Sequence, residues 1–112
     1  VYQKLMCETF GYEKHLPMNT GVEGAESAVK LARRWAYVKK GVPRNDALMV
    51  FPNDCYWGRS LAALSASTDP SSYGGYGPYM TGFLNVEYNN IPALENITVH
   101  ALLGKMSLPD LE

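Results

Sequence analysis

A chain of 112 residues, 46% hydrophobic and 19% charged, has the length and balance of one globular domain. Its net charge of −1 provides no basic field to draw nucleic acid or a membrane surface. Its apolar runs are too short to span a bilayer.

The chain starts at Val1 with no charged-then-apolar signal segment, which reads as a fragment or a processed chain. Residues 1–10 predict the end of a helix with Leu5, Met6 and Phe10 on its apolar side, closed by Gly11. A short strand is expected over residues 15–18, at an edge or irregular because of Pro17. His15 is given no role.

The stretch LPMNTGVEGAESAVKLARRWAYVKKG organises the chain. Thr20 sits at the N-cap of a long helix, and Glu23 completes a Thr-x-x-Glu capping box. Val22, Ala25, Val29, Ala32 and Ala36 recur at the helical period, flanked by Trp35, and Gly41 and Pro43 stop the helix. A strand, an Asn-Thr-Gly-Val turn and a helix start aim several backbone N–H groups at one spot. Gly21 leaves the approach open, so the occupant is either an anion such as phosphate or water.

Residues 47–51, ALMVF, read as a strand covered on both faces, as in parallel α/β sheets. With the helix and the strand before it, they make a βαβ unit. PNDCYWGRS follows, and a helix over residues 61–66 begins near Gly58. Ligands in open α/β sheets sit beyond the strands' carboxyl ends, which puts Tyr56, Trp57 and Arg59 in the same layer as the turn at residues 20–22.

Residues 65–82 form a loop rich in Ser, Gly, Pro and Tyr. It is either a flexible linker or, through Tyr73, Tyr76 and Tyr79, a surface packed on a second subunit. Residues 83–88 alternate as a third strand, Asn89-Asn90 turn, and a helix starts over residues 91–95 with Pro92 at a tolerated early position. From Asn96 the pattern fails, and the Asn96-Ile97-Thr98 glycosylation match is taken as chance. Cys7, Cys55, His15 and His100 fit no metal spacing; the cysteines read as reduced intracellular thiols, with a disulfide as the alternative.

Three blocks together carry a family likeness: LPMNTGVEGAESAVKLARRW, VFPNDCYWGRSLAALSASTDP, and YGPYMTGF followed by VEYNNIPALE. Over residues 1 to about 95, in the same order and at near-identical spacing, the chain resembles the class III aminotransferases, nearest to the members that take ornithine. The resemblance implies an α/β fold, part of the fold type I large domain, with residues 96–112 a divergent or truncated tail. It implies pyridoxal 5′-phosphate (PLP) as cofactor and a homodimer in which both subunits build each site. The reaction implied moves the δ-amino group of ornithine to 2-oxoglutarate, in the mitochondrial matrix or the cytoplasm.

Carried over by position, Thr20, Gly21 and Val22 look like the turn that holds the cofactor phosphate, and Tyr56 like the ring that stacks on the pyridine. Trp57 resembles a residue of the substrate channel, with core filling as the alternative. Arg59 resembles the arginine that grips a substrate carboxylate, with a solvated helix start as the alternative. The family's Schiff-base lysine and its pyridine-pairing aspartate match no position here; Lys4, Lys14, Lys30, Lys39, Lys40 and Lys105 all fall elsewhere. The chain alone is therefore expected to be inactive, and marginally stable because its sheet edges are unpaired. A non-enzymatic phosphate- or PLP-binding module and a subunit-interaction fragment are the alternatives.

Overall fold

The computed structural model describes residues 1–102. Helix α1 (Tyr2–Phe10) ends where Gly11 adopts φ +74° and donates its N–H to the Cys7 carbonyl at 2.9 Å. The segment after it does not form the strand predicted over residues 15–18. No described strand lies beside it, and Pro17 has no N–H to contribute to a ladder. Side chains hold it instead. Gln3 Nε2 donates to the His15 carbonyl at 3.1 Å, the Tyr2 and His15 rings meet edge-on at 5.6 Å, and Ser27 Oγ donates to Met18 Sδ at 3.5 Å.

Helix α2 (Gly21–Val38) starts on its capping box. The Glu23 N–H donates to Thr20 Oγ1 at 3.2 Å, and the Thr20 N–H donates back to the Glu23 carboxylate at 3.2 Å. An N-cap of this kind contributes about 1 kcal/mol. Val22, Ala25, Val29, Ala32 and Ala36 form a half-buried stripe, and Gly41 at φ +75° turns the chain away after the helix.

Strands β1 (Met49–Pro52) and β2 (Phe83–Val86) pair in parallel, from Met49 opposite Phe83 to Pro52 opposite Val86. The strand–crossover–strand unit therefore lies one step later in the chain than predicted. Its crossover contains α3 (Leu61–Ser65) and α4 (Pro70–Tyr73). β1 is half-buried rather than covered on both faces. α3 begins at Leu61, not near Gly58, with Ser60 Oγ accepting from the Ala63 N–H at 3.2 Å. Asp69 and Pro70 start α4 inside the predicted loop, as N-cap and first helical residue.

Arg33, which the sequence places only among charges favourable to the helix dipole, fastens α2 to the sheet. Its Nη2 donates to the Thr81 carbonyl at 2.9 Å, and its guanidinium lies 5.1 Å from the Phe83 ring centroid. After β2, the Asn90 side chain accepts from the Ala93 N–H at 3.0 Å and starts α5 (Ile91–Leu102). α5 runs through Asn96, where the sequence pattern was expected to fail, so the Asn-Ile-Thr motif lies within a helix. The remainder of the predicted tail, including Lys105, lies outside the described residues.

The buried apolar residues among those described are Ala47, Ala63, Leu64 and Ala66, a small core around the crossover. Leu31 (70% exposed), Trp35 (55%) and Val38 (59%) stand in the open on α2. None of the described helices is long and apolar enough to cross a membrane. Produced by itself, the 112-residue polypeptide is expected to melt without a cooperative transition and to bind a hydrophobic dye. A sharp melt of a dye-silent monomer would refute this.

Candidate functional site

The site is built from two loops that leave the same end of the fold. The first is the start of α2. The Glu23 and Gly24 N–H groups are taken by the Thr20 side chain and carbonyl, while those of Gly21 and Val22 have no acceptor among the described residues. N–H groups at a helix start point outward along the axis, where the dipole also favours negative charge. A Cβ built on Gly21 meets no heavy atom within 4 Å, so the space over this turn is open.

The second loop leaves the carboxyl end of β1. The Asp54 N–H donates to Thr68 Oγ1 at 2.8 Å, and Cys55 Sγ donates to the Ala66 carbonyl at 3.5 Å. Asn85 Nδ2 of β2 reaches the same carbonyl at 2.9 Å, so fully buried Ala66 ties this loop to the sheet. Burial raises the Cys55 thiol above its ordinary pKa, with the nearby Asp54 charge adding to the rise, so it stays protonated. Cys7 and Cys55 are both free thiols.

Past Cys55, the four residues 56–59 line two recesses. One, about 600 Å³, opens toward α2 and is bounded by Gly21, Val22 and Ala25 on the far side. The other, about 740 Å³, faces α3 and α4 and reaches Tyr76. Of the sequence-predicted site residues, Gly21, Val22, Tyr56, Trp57 and Arg59 share the first recess, and Thr20 caps the helix at its edge.

Tyr56 is 74% exposed, which leaves a flat face of its ring free for stacking. Trp57 stacks on Phe51 at 5.8 Å and 14°, so it packs against the sheet as well as lining both recesses. Its Nε1 is shielded from solvent and has no acceptor among the described residues. Arg59 is exposed, and no carboxylate among the described residues pairs with it. A free cation, an unused N–H and a bare aromatic face around one opening suit a planar ligand that carries anionic groups.

Sequence reasoning missed two residues of the recess: Ala25, placed only in the apolar stripe of α2, and Gly58. The signal of Gly58 was visible as the glycine between Trp57 and Arg59, but its reason lies across the recess, in α2. Gly58 adopts φ +146°, and a Cβ there would collide with Val22 Cγ2.

Beyond the site, the tyrosine loop is folded on itself rather than a loose linker. Tyr73 and Tyr79 meet edge-on at 6.0 Å, the Tyr79 hydroxyl donates to the Tyr73 carbonyl, and the Met80 N–H donates to Ser65 Oγ at 2.8 Å. Hydrogen bonds from the Ser71 and Ser72 hydroxyls hold the Asp69 carboxyl below the ordinary carboxylate range and fix the cap of α4.

Ornithine aminotransferase, mitochondrial, of Drosophila ananassae is 54% identical over 94 residues, covering 84% of this chain and 22% of that protein. The probable ornithine aminotransferase, mitochondrial, of Caenorhabditis elegans is 57% identical over 95 residues, covering 85% and 22%. The solved ornithine aminotransferase of Toxoplasma gondii, described with partial occupancy of PLP at its active site, superposes with a TM-score of 0.82 at 43% identity, covering 85% of this chain and 22% of that one. The chain thus spans about a fifth of the length of the relatives it matches. Residues 1–106 match the family described as Aminotransferase class-III, and the chain belongs to that family.

Proposed function

We propose that this chain forms the cofactor-phosphate and donor-carboxylate side of an ornithine aminotransferase, which moves the δ-amino group of ornithine to 2-oxoglutarate. The observation that carries this is the convergence of the Gly21–Val22 helix start, the exposed Tyr56 ring and Arg59 on one recess. The free N–H groups and the open space over Gly21 fit a phosphate, and Tyr56 fits an aromatic ring beside it.

When bound, PLP supplies the electron sink for amine transfer. The protein's part is placement. Gly21 and Val22 hold the phosphate by backbone N–H groups, with Thr20 keeping the helix start in shape. Tyr56 fixes the ring plane, Trp57 borders the donor channel with its free Nε1–H, and Arg59 takes the α-carboxylate of ornithine in a two-pronged grip. Among the described residues no lysine lines either recess, so the amine that moves the proton is assigned to a position outside them.

Residues 1–95 are assigned to the large domain and residues 96–112 to a divergent or truncated tail. The relatives' mitochondrial names support a matrix location, and the exposed Tyr76, Tyr79 and Met80 support a homodimer built over that loop. Titrating the protein with PLP is expected to give saturable quenching of tryptophan emission, reversed by excess inorganic phosphate. Absence of saturable binding, or binding that phosphate leaves untouched, overturns the reading.

A further inference from the structure

The two halves of the site come close at Val22 and Gly58. A Cβ on Gly58 would overlap Val22 Cγ2 and lie 2.6 Å from Val22 Cβ, so the space a side chain would fill at 58 is already held by Val22. Val22 is the second residue of α2, and its backbone belongs to the helix start that faces the recess. Gly58 sits between Trp57 and Arg59, two residues from Tyr56. The contact therefore joins the anion-holding turn to the segment that bears the aromatic face and the cation.

We infer that the Val22 side chain, seated against Gly58, is a positioning spacer that sets the separation between the phosphate turn and the Tyr56–Arg59 segment. The inference rests on the PLP reading above. A rigid ligand that places its phosphate on the turn and its ring on Tyr56 senses that separation. Inorganic phosphate, which needs only the turn, does not. The spacer thus acts on ligand choice, and a purely structural contact would not.

The test compares PLP with inorganic phosphate on Val22→Ala and Val22→Thr variants of the protein. Val22→Ala removes the methyls that meet Gly58, keeps the backbone N–H, and suits the helix start at least as well as valine. Its affinity for PLP is expected to fall about tenfold, the scale of a small misplacement, while its affinity for phosphate stays within about twofold. Val22→Thr keeps a branch atom of similar size, its hydroxyl oxygen in the Cγ2 position, against Gly58 and is expected to bind PLP as the parent does. The near-ultraviolet circular dichroism of bound PLP should change in Val22→Ala and not in Val22→Thr, reporting the ring's altered seat. Equal loss of PLP and phosphate, or a Val22→Thr that behaves like Val22→Ala, overturns the spacer while leaving the cofactor reading in place. A parent protein that binds phosphate but not PLP overturns the cofactor reading, and the spacer with it.

Discussion

Gly21→Asp is expected to abolish useful PLP binding while leaving α2 intact or slightly more stable. The two effects have opposite signs because they act on the same dipole. A carboxylate at the first residue of a helix gains about 0.3–1 kcal/mol from the N-terminal partial charge. The same carboxylate stands where the phosphate is assigned, since a Cβ at Gly21 opens onto empty space rather than onto protein. Two like charges about 4 Å apart repel by about 4 kcal/mol at an effective dielectric of 20. Salt at physiological strength screens an open site, with a Debye length of about 8 Å. A net loss of about 2–3 kcal/mol remains, on the order of a hundredfold in affinity.

Gly21→Asn has nearly the same shape without the charge, so the ratio of the two variants isolates electrostatics from crowding. Titration with PLP at two salt concentrations measures it. The gap between Asp and Asn should narrow as salt rises. Equal losses in both variants would mean that bulk, not charge, matters at the turn, and no loss in either would mean that the phosphate lies elsewhere.

What could be read in advance follows the range of the interactions involved. α2 was legible because its signals are local: a cap and its reciprocal carboxylate three residues apart, an apolar stripe, and glycine past the end. The strands at Met49–Pro52 and Phe83–Val86 were legible as segments for the same reason. Their pairing was not, because register is set by a partner more than thirty positions away along the printed sequence. The false strand at residues 15–18 is the converse case. An extended, apolar-flanked stretch is a strand only if a neighbour supplies hydrogen bonds, and side chains from α1 and α2 hold this one.

α5 is not predicted past Glu95 because the residues after it offer only a short apolar run and a Gly104-Lys105 break, and Ile97, Thr98 and Val99 add no helix preference of their own. The helix continues with Ile97 half-buried beside α2 and β1, a packing gain that outweighs a few tenths of a kcal/mol per residue. In the site, Tyr56, Trp57 and Arg59 could be placed from their position after a strand. Gly58 could not, since its positive φ and the approach of Val22, which together explain why that residue lacks a side chain, arise only in the folded chain.

Within a complete ornithine aminotransferase that carries this stretch, Arg59→Met is expected to lower kcat/KM for ornithine about a thousandfold, and Arg59→Lys about thirtyfold, with little change in stability. The estimate counts hydrogen bonds to a charged partner at about 1.5–3 kcal/mol each: two for the guanidinium, one retained by lysine. Stability should hold because Arg59 is exposed and makes no hydrogen bond or ion pair among the described residues. The loss should depend on the donor's carboxylate. Putrescine has the amine and chain of ornithine without that group, so its kcat/KM should be nearly the same in the parent and both variants. Ornithine is then the only donor that falls, and it falls toward the putrescine value, because both substrates are held by the same remaining contacts once the arginine is gone. Parallel losses for the two donors would assign Arg59 to cofactor placement or to the fold. An unchanged ornithine rate in Arg59→Met would remove it from the site.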